Sequence, residues 1–299
     1  MTYSPLIAGL ELGGTKCVAI LGAGPDDVRA RETVPTTDPA TTLAGLEEIL
    51  DGWRFDALGI AAFGPLDLDP RSTDYGSISA TPKPGWSGTD LTRRLAARYG
   101  VPLAIQTDVV GAALAEQRWG AARGLSSHCY ITVGTGVGVG LISGNRPVQG
   151  VAHGEAGHMC VRRAPGDDFA GACPFHGDCI EGLISGPALA RRFGRPTHEL
   201  TDEGVEWDWF VHDLAGLLHN LVVTAAPERI AIGGGVMASR EQLFPKLRAA
   251  LAASIAAYGS LAPYAAQLDD RLGPPGLGTM AGPLGALAVG LDVLDKADG

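Results

Sequence analysis

LIAGLELGGTKCVAILG (residues 6–22) reads as an apolar strand, a small-residue turn and an apolar return strand, and CYITVGTGVGVGLISG (residues 129–144) repeats that plan. Laid on one another, Gly14 falls on Gly136 and Gly22 on Gly144, each 122 residues later. The later strand DALGIAAFGP (56–65) lies in the same way on ERIAIGGGV (228–236), with Gly64 on Gly235 at a spacing of 171. The difference places an insertion of 49 residues in the second copy, between about residue 145 and the helix WDWFVHDLAGLLHNLVVTAA (207–226).

Around these anchors the remaining elements fall into place. VRARETV (28–34) alternates as a third strand, and TTLAGLEEILDGW (41–53) has helical spacing with Thr at its start. A loop rich in Pro and Gly (64–88) precedes a helix at LTRRLAARYG (91–100), the strand PLAIQTD (102–108) and the helix VVGAALAEQRWG (109–120). Two copies of β-β-β-α-β predict two α/β lobes facing each other across a cleft. The expected boundaries are 1–112 for an N-terminal lobe, joined by the C-terminal helix 281–299, and 113–280 for a C-terminal lobe.

The composition narrows the function classes. The 299 residues allow one large domain or two of about 150. Apolar residues make up 45%, enough for a sizeable core, and the net charge of −10 repels phosphate backbones and anionic membranes, so no nucleic-acid partner and no membrane association is expected. The first residues, MTYSPLIAGLEL, lack a basic region and an apolar run of signal length, and five cysteines argue against a disulfide framework. A cytoplasmic protein follows as the expectation. Cys17, Cys129 and Cys160 read as small core hydrophobes.

Three glycine turns are candidate phosphate or nucleotide contacts. Gly13-Gly14-Thr15-Lys16 ends the first strand with exposed N–H groups, a hydroxyl and a cation; Gly134-Thr135-Gly136 ends its counterpart; Gly233-Gly234-Gly235 follows the strand RIAI. None is a Walker or dinucleotide signature, and each is compatible with a plain turn. Together, at the mouths of two duplicated lobes, they point to one nucleoside triphosphate. Asp108, at the carboxyl end of PLAIQT, is placed to take a proton from an acceptor hydroxyl, with helix capping as the bland alternative. Asp67 and Asp69 compete as turn formers or metal-water contacts.

A segment at about 153–182 carries the most specific pattern, His158 followed by Cys173-Pro174-Phe175-His176-Gly177-Asp178-Cys179. Two thiolates and two imidazoles from His158, Cys173, His176 and Cys179 make a closed tetrahedral shell, so the metal expected is a structural Zn²⁺. Gly177 relieves the tight turn; His153 and Cys160 are lesser alternatives for the fourth ligand. Such a site contributes on the order of 10 kcal/mol to ordering a segment without its own core. Glu155 and Glu181, beside it, suit a polyol substrate.

ELGGTK (11–16), GIAAFGPLD (59–67), TPKPGW (81–86), TDVVGAALAE (107–116), VGTGVGVG (133–140), HGEAGH (153–158), CPFHGDCIEG (173–182) and IGGGV (232–236) occur in an order that resembles the ROK family of sugar kinases, over essentially the whole chain. The zinc segment and PKPGW resemble its zinc-containing fructokinase branch, which also carries Glu at position 11. The resemblance implies an actin-like (ribonuclease-H-like) ATPase fold, a homodimer, and the use of ATP and Mg²⁺. It implies that Asp108 is the general base toward the 6-hydroxyl of fructose and that Glu155 and Glu181 hold sugar hydroxyls. Residues 13–16 and 134–136 would embrace the phosphates, and 233–235, with Pro187 of ISGPAL, would border the adenosine. Val110 stands where many members have Asn, which leaves a glucose- or mannose-type hexokinase as the runner-up. A sugar-responsive regulator of the same family would need a DNA-reading segment ahead of the first strand, which here begins by Leu6.

Overall fold

The structure, a computed structural model, describes residues 5–201 and 204–297. The chain divides into two compact units, one formed by Met1–Gly124, Pro147–Gly154 and Met280–Gly299, the other by Leu125–Arg146 and Glu155–Thr279.

In the first unit, β1 (Ile7–Leu12), β2 (Lys16–Gly24), β3 (Asp27–Pro35), β4 (Ala57–Ala62) and β5 (Leu103–Thr107) form one sheet in the order β3-β2-β1-β4-β5. β4 is a continuous apolar run, and β1 is one but for Glu11, because both sheet faces are covered. Three helices accompany them: α1 (Pro39–Asp51), α2 (Thr92–Tyr99) and α3 (Asp108–Trp119). Asp38, not a threonine, caps α1, its side chain accepting from Thr41 N at 2.9 Å. The C-terminal helix Ala281–Ala297 also belongs here. It approaches so closely that a methyl group at Gly59 would overlap the Ala286 carbonyl, and one at Gly285 would meet the Gly111 carbonyl carbon at 2.5 Å. Only glycine permits that spacing.

The second unit repeats the plan. β6 (His128–Val133), β7 (Val137–Ser143), β8 (Arg146–Pro147), β9 (Arg229–Gly233) and β10 (Leu272–Gly273) lie in the order β10-β9-β6-β7-β8. β6 pairs with β7 antiparallel and with β9 parallel, as β1 does with β2 and β4. This is the duplicated actin-like topology. The uniform spacing of 122 does not survive in register: Leu12 and Cys17 flank the first turn, Val133 and Val137 the second, so the first turn is one residue longer. The expected boundary at 112–113 falls inside α3, and Pro147–Gly154 belongs to the first unit although both flanks belong to the second.

Between β8 and the long helix α6 (Glu206–Ala225) lies the insertion, with the short helices α4 (Ile180–Ile184) and α5 (Gly186–Phe193); α7 (Phe244–Ile255) follows β9. Buried Arg192 on α5 ties Asp167 of the insertion (2.6 Å) to Asp213 on α6 (2.8 Å). Cys17 and Cys129 are buried, but Cys160 is exposed, contrary to its reading as a core residue, because it sits in the irregular chain that precedes Cys173. Among the described residues no helix is long and apolar enough to cross a membrane.

Candidate active site

The parallel register of the first sheet sets the geometry. Leu12 pairs with Ala62, and Ala62 with Thr107. The residues that follow these three, Gly13, Phe63 and Asp108, therefore stand side by side at the carboxyl edge of the sheet, where open α/β sheets bind ligands.

The Gly13–Lys16 turn is held by its carbonyls. Gly13 O accepts from Thr36 Oγ1 (2.8 Å), Thr15 O from Thr36 N (3.0 Å), Gly14 O from Lys83 Nζ (2.5 Å), and Lys16 O from Gly13 N (3.1 Å). Among the described residues the N–H groups of exposed Gly14 and Thr15 have no protein acceptor. A turn whose carbonyls are tied back and whose N–H groups point outward is an anion-binding nest.

Asp108 is the first residue of α3, but the cap belongs to Thr107, whose Oγ1 accepts from Val110 N at 3.3 Å. Asp108 Oδ1 accepts from its neighbour Val109 N at 2.9 Å. Beside it, burial first and then the charge of Asp108 push the Glu11 carboxyl up to about 7. Glu11 was legible as the one acid in an apolar strand, yet its coupling to Asp108 depends on strand order. Asp67 and Asp69 prove to be turn formers, the first bound to Asp69 N and Ser72 Oγ, the second to Arg71. Val110 is buried at 6% exposure.

In the second unit the other candidates converge around β7. Gly134 N donates to Gly136 O (2.9 Å), and Gly134 O accepts from Gly186 N (2.7 Å), which brings the first residues of α5, Gly186 and Pro187, onto the turn. The Gly233–Gly235 turn lies against the same turn: Val236 N donates to Val133 O at 2.9 Å, and Gly234 has φ +90° with Val133 backbone crowding the place of a side chain. Glu181 Oε2 accepts from Val137 N at 3.1 Å, close enough to Gly136 that a methyl group there would sit 2.6 Å from it. Glu155 is exposed and begins the 3₁₀ turn Ala156–His158, with His158 N donating to Glu155 O at 2.9 Å. Gly157 of that turn packs directly on the Val137 carbonyl. Val137 thus joins both carboxylate-bearing segments to the glycine turn.

The ligand-type atoms of His158, Cys173, His176 and Cys179 all lie within 4.8 Å of one another. His158 Nδ1 is 3.4 Å from Cys179 Sγ and 3.7 Å from Cys173 Sγ, which is 3.7 Å from His176 Nδ1. The edges of a tetrahedron built on metal–ligand bonds of a Zn(Cys)₂(His)₂ centre are about 3.3–3.8 Å, so the donor set fits. Both cysteines are free of disulfide, and burial pushes the Cys179 thiol up to about 11, with Cys173 adding to it. The knuckle closes through Cys173 N to Gly177 O (3.1 Å) and Gly177 N to Cys173 O (3.0 Å), with Gly177 at φ +61°. His153 is not part of this cluster; it lies in the first unit, where its Nε2 accepts from Leu66 N at 2.9 Å.

Comparison with known proteins places this geometry in context. The profile of the ROK family matches residues 7–292. A fructokinase of Pediococcus pentosaceus is 39% identical over 98% of this chain and 100% of its own length. A fructokinase of Zymomonas mobilis is 39% identical over 96% of this chain and 97% of its own. The crystal structure of a ROK hexokinase from Thermus thermophilus superposes with a TM-score of 0.78 at 29% identity, covering 98% of this chain and all of that one.

Proposed function

The chain belongs to the ROK family, and from that premise we propose that it is an ATP-dependent fructokinase that transfers the γ-phosphoryl group to the 6-hydroxyl of fructose. The observation that carries the reading is the row at the edge of the first sheet, where an outward-facing glycine nest and a carboxylate not needed as a cap stand two strands apart. The nest binds phosphate oxygens, and Asp108 orients the sugar hydroxyl and takes its proton as that oxygen attacks the γ-phosphorus and the bond to the ADP oxygen breaks. The choice of fructose rests on the two fructokinases at 39% identity over nearly their full lengths.

In the first unit Gly13, Gly14, Thr15 and Lys16 are the phosphate contacts, and in the second Gly134, Thr135 and Gly136 are; Pro187, Gly233, Gly234 and Gly235 border the nucleoside. Glu155 and Glu181 accept bonds from sugar hydroxyls. His158, Cys173, His176 and Cys179 would hold a structural Zn²⁺, which would order the loop bearing Glu155. Mg²⁺ bound with the nucleotide would supply neutralisation of phosphate charge. The family resemblance supports a homodimer in the cytoplasm, and the net charge of −10 supports the absence of a nucleic-acid partner.

The test is ADP release by the purified protein with ATP and a panel of fructose, glucose, mannose and N-acetylated hexoses. Fructose is expected to give the highest kcat/KM. Activity with none of them would refute the reading, and a preference for glucose or mannose would refute its choice of sugar.

A further inference from the structure

Lys83 belongs to the loop between β4 and α2, and its backbone is fixed from both sides. Trp86 N donates to Lys83 O at 3.2 Å, while the fully buried Trp86 ring donates from Nε1 to Thr37 O at 2.8 Å and packs edge-on against Phe63 at 5.1 Å. Thr36, next in sequence to Thr37, is the residue that ties back two carbonyls of the glycine nest. The PKPGW loop and the nest therefore share one scaffold.

From that scaffold the Lys83 ammonium reaches Gly14 O at 2.5 Å and stands 5.7 Å from the Phe63 ring centroid. Phe63 is the middle member of the edge row, with Gly13 on one side and Asp108 on the other. The cation thus stands against the nest and over the ring of the row's middle residue. Only one of its three donors goes to the nest, and no carboxylate among the described residues pairs with it. In a chain carrying 33 acidic residues against 23 basic ones, a lysine tied to the glycine turn with no carboxylate partner among the described residues suits an anionic ligand.

We propose that Lys83 is a catalytic cation of the phosphoryl transfer: its ammonium meets the oxygens of the γ-phosphoryl group as that group passes from the ADP oxygen to the sugar oxygen, while Asp108 receives the hydroxyl proton. This rests on the kinase reading above. The transferring group spreads negative charge over its three equatorial oxygens, and a pre-positioned cation stabilises that charge without reorganising. The bond to Gly14 O serves the same end, since it holds the ammonium in place and turns the carbonyl away from the phosphate.

Lys83→Met and Lys83→Arg test the assignment, with kcat and the separate affinities for ATP and ADP as readouts. Lys83→Met is expected to lower kcat about 100-fold, as loss of one preorganised donor does, and to abolish the preference for ATP over ADP while leaving ADP affinity within about twofold. Lys83→Arg is expected to recover much of the ATP preference, because it keeps the charge. Unchanged kcat and unchanged ATP preference in Lys83→Met would overturn the proposal. So would a parallel loss of ATP and ADP affinity with a lowered Tm, which marks a purely structural strut. If the wild-type protein shows no hexose-dependent ADP formation, the kinase reading fails instead, and the ATP-to-ADP affinity ratio still decides the role of Lys83.

Discussion

Glu11 on β1 and Asp108 at the start of α3 are like-charged neighbours, and the Glu11 carboxyl, pushed up to about 7 first by burial and then by the charge of Asp108, carries the strain of that arrangement. Lys16 and Arg31 offset part of that cost, but burial and the like charge outweigh them. Both carboxylates lie toward the carboxyl edge of the sheet that carries the Gly13–Lys16 turn.

Because the Glu11 carboxyl is raised in the folded state above its ordinary value of 4.5, folding favours its protonated form. That contribution is fully present below about pH 4.5 and is lost as the pH rises through about 7. Glu11→Gln is therefore expected to be more stable than the wild type at pH 8, by up to about 3 kcal/mol, with the gap closing toward pH 4.5. Denaturant titrations of both proteins between pH 4.5 and 8 measure it; a gap that does not change with pH would show that Glu11 is not raised.

Asp108→Asn should lower kcat about 10²–10⁴-fold while leaving Tm and ATP affinity near the wild-type values. The separation is expected because Thr107, not Asp108, caps α3. Thr107→Ala should do the converse, costing about 1 kcal/mol of stability. Near-normal turnover in Asp108→Asn would remove it from the chemistry.

Cys173→Ser should release zinc, lower Tm and raise KM for the sugar, since the metal shell and the Glu155 turn share His158. The stability loss is expected to reach several kcal/mol, the scale on which structural zinc sites contribute to folding. Elemental analysis alongside thermal unfolding checks both parts, and a wild-type protein free of zinc would contradict the metal assignment.

Gly59→Ala places a methyl group on the Ala286 carbonyl of the C-terminal helix. Overpacking of this kind costs about 1–3 kcal/mol or more. The helix spans the backs of β1 and β4, so the loss should appear as a lowered global midpoint in urea. An unchanged midpoint would mean that the helix is not held there.

Much of this molecule was readable without coordinates because its signals are local. The twin hairpins announce themselves by apolar runs broken at glycines, and the Cys-x₂-His-x₂-Cys knuckle by a spacing that only a tight turn satisfies. Less legible was anything set by pairing between distant strands. No pattern in GGTK shows that Thr36 and Lys83 tie its carbonyls back. None in PLAIQTD shows that Thr107, not Asp108, takes the capping role. The ion network of Arg192 with Asp167 and Asp213 likewise joins residues 25 and 21 positions away through burial alone.

The amino-acid order by itself determined the duplicated α/β plan, the three glycine turns and the four metal-type ligands, since each follows from chain stiffness, periodicity or donor chemistry over a few residues. Only the tertiary structure decided which of those residues share a site. Parallel pairing of β1, β4 and β5 puts Gly13, Phe63 and Asp108 in one row, and a loop anchored by a buried tryptophan brings Lys83 over it. Strand register and long-range packing are properties of the whole hydrogen-bonded sheet, which no single segment encodes.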